Sequence, residues 1–222
     1  MRIDPGKASD KMLLLLLAAD VVLILLHVAH LSSGFFADLN YSIAAERGFG
    51  ETFQYLKEGW IVLMFAVLGI RSANGMYASW TFLFGVLLVD DAFAARERIG
   101  KIIGLELDFA STFGLRPQDL GELIVIGLFA ASFIVPIVVE YVLSREEARS
   151  FWRSMLWMLV ALAAFGVLFD MIHITLLSHP VWENVLQTTE EAGEMIVMSF
   201  IVRFVFQAWH VEPTGGRPFP DP

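Results

Sequence analysis

The chain has 222 residues, of which 57% are hydrophobic and only 18% charged, and its mean hydropathy is +0.65. Soluble domains carry roughly 25% charged residues, so a soluble enzyme and a disordered protein are both excluded. A net charge of −9 without any Lys/Arg-rich block excludes a nucleic-acid partner, and the absence of Cys excludes disulfides, thiolate metal sites, iron–sulfur clusters and cysteine nucleophiles.

What remains is an all-α, polytopic integral membrane protein, a bundle of about six transmembrane helices. The first apolar run, Met12 to Leu31, has the ~20-residue length of a span, and its Asp20, His27 and His30 argue for a retained helix rather than a signal peptide. Glu51 to Glu97 is long enough for two spans, and Arg71 with the Asn74-Gly75 turn signal divides it into helices over about 51–71 and 75–97. A fourth helix follows Pro117, over about 119–143, with a kink expected at Pro136 because proline lacks the N–H that bonds one turn back. The fifth and sixth spans fall over about 150–178 and 187–210. Residues 1–211 thus read as a single transmembrane domain, and 212–222 as a Gly/Pro-rich C-terminal tail. The connection between the third and fourth spans, with Ile102, Ile103, Leu105, Leu107 and Phe109 among charges, reads as an amphipathic piece along the membrane interface. Trp60, Trp152, Trp182 and Trp209 fit interfacial belts.

An even number of spans puts both termini on one side. With the N-terminus inside, the inner segments hold eight basic residues (Arg2, Lys7, Lys11, Arg71, Arg145, Arg149, Arg153, Arg217) and the outer ones six (Arg47, Lys57, Arg96, Arg98, Lys101, Arg116). The balance favours N-in and C-in, in a bacterial inner (plasma) membrane.

Helix direction alternates, so the ends of the first, third and fifth spans share a membrane face with the starts of the second, fourth and sixth. That face collects His27 and His30, Asp90, Asp91 and Glu97, Asp170 and His173, Lys57 and Glu58, Glu122, and Glu190, Glu191 and Glu194. The opposite half holds Glu140 and Arg203, and Asp20 lies near the midplane; Arg203, nine residues past Glu194, faces away from it and snorkels. Charged groups at the bilayer centre cost about 2.5–3.5 kcal/mol each, so Asp20, Asp90, Asp91, Asp170 and Glu194 need partners. Asp20 and His27 share a helix face, as do Asp90 and Glu97, while Asp170/His173 and Glu190/Glu194 are three and four apart.

An acid followed three residues later by His, opposed by carboxylates from other helices, is how helical bundles hold iron, manganese or similar ions. The metal set predicted here is Asp170, His173, Glu190, Glu194, Asp90, Glu97 and His27, with Asp20, Asp91, Glu58 and His30 as further polar groups of the site. Iron, manganese or zinc suits such mixed ligands. Plainer roles compete: Thr188-x-x-Glu191 and Asp119-x-x-Glu122 have capping-box spacing, and Lys57, Arg96 or Arg98 can neutralise two or three of the acids. Glu190-Glu191 resembles the paired glutamates of CAAX-type intramembrane proteases, but the arginine that family places four residues after the second glutamate is Met195 here, so its activity does not transfer.

Three functions fit. The first is a metal-dependent membrane enzyme acting on a lipid-soluble substrate. The second is an ion or proton transporter or channel using the same acids. The third is an accessory subunit binding haem or pigment through His27 or His30 and His173. The implied partners are the lipid bilayer, a lipid-soluble substrate, and a homo-oligomer or larger membrane complex.

Overall fold

The computed structural model describes residues 4–72, 75–111, 115–143, 146–169 and 180–210. Among them are seven α-helices: α1 (Pro5–Ser32), α2 (Phe49–Ser72), α3 (Gly75–Phe93), α4 (Ala95–Glu106), α5 (Pro117–Leu143), α6 (Glu146–Ala163) and α7 (Pro180–His210). All but α4 are long and apolar enough to cross a membrane. The chain is thus an all-α bundle with the architecture of an integral membrane protein.

Local chemistry sets the helix starts. Asp4 accepts the Gly6 N–H at 3.0 Å and Pro5 occupies the first turn of α1, where its missing N–H costs nothing. Helix α5 begins with Pro117 in the same role, two residues before the expected start. Asp119 therefore sits in the third helical position and accepts the Arg116 N–H at 2.7 Å, instead of acting as the cap that opens a box with Glu122. Helix α7 begins at Pro180, so Thr188 and Glu191 lie inside it and cap nothing. Helix α5 continues through Pro136 to Leu143.

The third span differs most from expectation. It ends at Phe93, because Ala94 takes a left-handed conformation (φ 48°, ψ 46°), and α4 starts afresh at Ala95. Asp90 accepts the Arg96 N–H at 2.5 Å, which satisfies a free donor of the new helix. Helix α4 then packs antiparallel on the start of α5 through glycines: a Cβ at Gly100 would collide with Glu122, and one at Gly104 with Pro117. Its apolar residues Ile102 and Leu105, and Leu107 just past its end, stay exposed.

Helix α7 packs on α1, α2 and α6. It runs antiparallel to α1, with Ser199 on Asp20 and Arg203 on Asp10, and parallel to α2, with Met195 on Lys57 and Trp209 under Arg71. Arg203 reaches Asp10, near the start of α1, at 2.7 Å. Helix α6 is antiparallel to α7, with Phe151 stacked on Phe204 at 4.9 Å. It passes into a π-helical turn at Ala164–Phe169, where Gly166 meets the Glu194 carboxyl and Phe165 meets Gly193.

The core is aromatic and lies in the half of the bundle away from the acids. Phe65 is fully buried, with ring centroids 6.1–6.4 Å from Tyr77, Trp80, Phe84 and Phe151. Trp152, expected in an interfacial belt, is fully buried and lies 5.3 Å from Trp80. Its ring fills space between α3 and α6 that a smaller side chain would leave open. Leu14, Leu15 and Val135 are among the many large apolar residues left exposed, the surface that lipid tails cover without cost.

Candidate functional site

One stripe of α2 organises the site. Its buried residues are Gly50, Gln54, Lys57, Glu58, Ile61, Phe65 and Leu68, recurring at three- and four-residue intervals along one face. The first half of this stripe is polar and the second apolar. The same face therefore passes from a polar site into the aromatic core.

At the end of the bundle nearer the polar half lies a cavity of about 600 Å³. Its described lining carries ten carboxylates: Glu46 and Glu51, Asp90 and Asp91, Glu97, Asp119 and Glu122, and Glu190, Glu191 and Glu194. Four arginines, Arg47, Arg96, Arg98 and Arg116, share the wall. Arg116 is committed to Asp119 through two of its nitrogens, at 2.7 and 3.1 Å, so the acids of the wall outnumber its remaining arginines. At the rim on α4, burial, with the carboxylates of Glu122 and Glu46 beside it, pushes the Glu97 carboxyl up from its ordinary range.

Below the cavity floor is a buried ion pair. Lys57 Nζ donates to Asp20 Oδ1 at 3.0 Å and to the Met195 carbonyl at 2.8 Å, and both charged side chains are completely buried. Ser199 Oγ donates to Asp20 Oδ2 at 2.5 Å, and Lys57 Nζ lies 4.8 Å from the Phe53 ring centre. Met195 also lines the cavity, so one residue of α7 separates the acidic vestibule from the ion pair. The next residue of α2, Glu58, is 1% exposed and in hydrogen-bond contact with Asp91, with Glu194 close by. Two carboxyl groups in such contact hold a proton or a cation between them.

Of the predicted metal set, Asp90, Glu97, Glu190 and Glu194 line the one cavity, and Asp91 lines it too. Asp90 and Glu97 reach it from two helices, not from one face of a continuous span. Asp170 and His173 lie outside the described residues. His27 shares the buried stripe of α1 with Asp20, but its Nε2 is 3.0 Å from Thr188 Oγ1 and its Nδ1 3.2 Å from Ser42 Oγ. The Thr188 hydroxyl proton goes to the Asn184 carbonyl at 2.6 Å, so Nε2 donates to Thr188 and Nδ1 accepts from Ser42. His30 Nδ1 donates to the Phe36 carbonyl at 2.6 Å. Among the described residues no three His or acidic side chains converge closely enough to enclose a metal ion directly.

Sequence reasoning did not anticipate Gln54, Ser199 and the Met195 carbonyl as site groups, nor Lys57 as the partner of Asp20. The periodic stripe of α2 carried the signal for Gln54 and Lys57. The Met195 contact has no side-chain signal, since the backbone makes it. No protein family, curated protein or solved structure matches this chain. The class that fold and site define is a polytopic helical membrane bundle with an acidic vestibule above a buried Lys–Asp pair.

Proposed function

We propose that this chain is an ion or proton transporter that gathers cations in the acidic vestibule and passes charge to the Lys57–Asp20–Ser199 cluster. The observation behind this reading is the double role of Met195, which lines the vestibule and accepts from Lys57 through its carbonyl. A buried Lys–Asp pair beside an acidic cavity gives a translocated charge a place to displace one partner. A pairing retained in the membrane despite its desolvation cost points to function. With the termini inside a bacterial inner membrane, the vestibule opens outward.

The reading is tested in vesicles reconstituted with the full chain. Cation or proton flux is expected in the wild type and is lost in Asp20→Asn and in Glu194→Gln, both checked for a monodisperse detergent profile. A wild type without flux of protons or of any mono- or divalent cation would reject it.

A metal-dependent enzyme acting on a lipid-soluble substrate is the second reading, supported by carboxylates from α3, α4 and α7 facing one cavity. Stoichiometric iron or zinc in purified protein, lost on changing Glu190 and Glu194 to Ala, would favour it over transport. The haem-bearing accessory subunit takes no support from His27, whose two ring nitrogens are engaged by hydroxyls.

A further inference from the structure

The vestibule floor carries two acceptor oxygens that have no donor. Gln54 Oε1 and Glu58 Oε2 are buried and make no hydrogen bond, and the two residues are 8% and 1% exposed. Leaving a buried acceptor unsatisfied costs roughly 1–3 kcal/mol. They are four residues apart on the same face of α2, so they lie one above the other. Gln54 lines the cavity, and Glu58 contacts Asp91, which lines it from α3, with Glu194 adjacent on α7. Lys57 acts on Glu58, but its charge is matched by Asp20 and its other donor contacts go to Met195 and Ser199, which leaves Arg96, beside Asp91, as the cation facing the three carboxyl groups of Glu58, Asp91 and Glu194. The floor is left with acceptors and net negative charge.

We infer that Gln54, Glu58, Asp91 and Glu194 form a binding site for a hard divalent cation that keeps part of its water shell. The inference rests on the transport reading and names the ion it would handle. Oxygen donors without imidazole suit magnesium, manganese or calcium rather than zinc or iron. Magnesium-like ions dehydrate reluctantly and bind through one or two carboxylates plus waters. That mode fits a cavity of about 600 Å³ whose described acids do not close on a bare ion. Gln54 supplies a neutral acceptor at the entrance, and Glu58 and Asp91, otherwise in mutual contact, separate to take the ion.

The test is Mn²⁺ binding to the detergent-purified full chain, followed by electron paramagnetic resonance. One saturable site is expected, displaced by Mg²⁺ more readily than by an equal concentration of Na⁺. Glu58→Gln and Gln54→Leu should each weaken it roughly tenfold or more. Gln54→Glu should bind at least as tightly as the wild type, a rescue that a merely structural glutamine would not give. Glu106→Gln on α4, which removes the same charge outside the cavity, should leave it unchanged. Absence of saturable Mn²⁺ binding, or equal weakening by Glu106→Gln, overturns the site, as does binding indifferent to both Gln54→Leu and Glu58→Gln. Mn²⁺ binding without flux in vesicles would reject transport and leave the site standing.

Discussion

A lysine whose charged end has no exposed surface is affordable only because its ammonium meets three acceptors, on Asp20, Met195 and Ser199. Lys57 meets Asp20 and the Met195 carbonyl, and the second Asp20 oxygen is taken by Ser199. Removing one partner strands a charge, which costs about 3–5 kcal/mol, whereas replacing both with apolar groups of similar volume is often close to neutral. Asp20→Ala and Lys57→Met should therefore each lower stability in detergent by about that amount. The double variant should lose much less than the sum. Equilibrium denaturation of the four proteins decides it, and strictly additive losses would mean that the pair does not couple. That Asp20 needs a partner is legible from its place in an apolar run. Which partner it takes is not, because Lys57 is 37 residues away and the choice depends on how α1, α2 and α7 are rotated against one another.

Hairpin α4–α5 is set by the absence of side chains. A Cβ at Gly121 would strike the Gly100 carbonyl, while one at Gly127, two turns along the same helix, meets nothing within 4 Å. Gly121→Ala should thus push the helices apart and destabilise by about 1–3 kcal/mol. Gly127→Ala should be neutral or gain up to about 1 kcal/mol from helix propensity. Thermal midpoints of the two variants, with limited proteolysis of the α4–α5 connection, separate the predictions; equal behaviour would show that the glycine contact does not hold the hairpin. The six long apolar helices were legible as apolar runs punctuated by Pro, Gly and charge; α1 and α7 each begin seven residues before the expected start, and the expected end of the fifth run, at 178, lies outside the described residues. The break at Ala94 was not. The residues around it, Asp90 to Glu97, keep a helical pattern, and the interruption lies in one left-handed backbone and in the hydrogen bond from the Arg96 N–H to the Asp90 carboxylate.

Across the whole molecule, polar and aromatic residues divide the bundle lengthwise, with carboxylates around one end and Phe65, Trp80 and Trp152 packed toward the other. The alternation of helix direction was enough to predict that the acids converge, since it needs only the count of spans. Sidedness rests on eight basic residues against six. The chain contains no Cys, so single cysteines report it directly. A cysteine replacing exposed Glu106 on α4 should react with a membrane-impermeant maleimide in intact cells. One replacing Lys7 at the start of α1 should react only after permeabilisation. The opposite pattern would invert the bundle and turn the vestibule inward.

The acceptor that ties Lys57 to α7 is a peptide carbonyl, that of Met195. No side-chain replacement at position 195 deletes it, so an alanine scan of α7 would pass over one of the three groups that hold the lysine. Only a change of register reaches it. A single residue inserted between Glu194 and Ser199 turns everything beyond it by about 100°, taking Ser199 away from Asp20 while Glu194 keeps its place. The spacing between acid and hydroxyl along this helix is therefore a length to which the protein is more sensitive than it is to the identity of the residue in between.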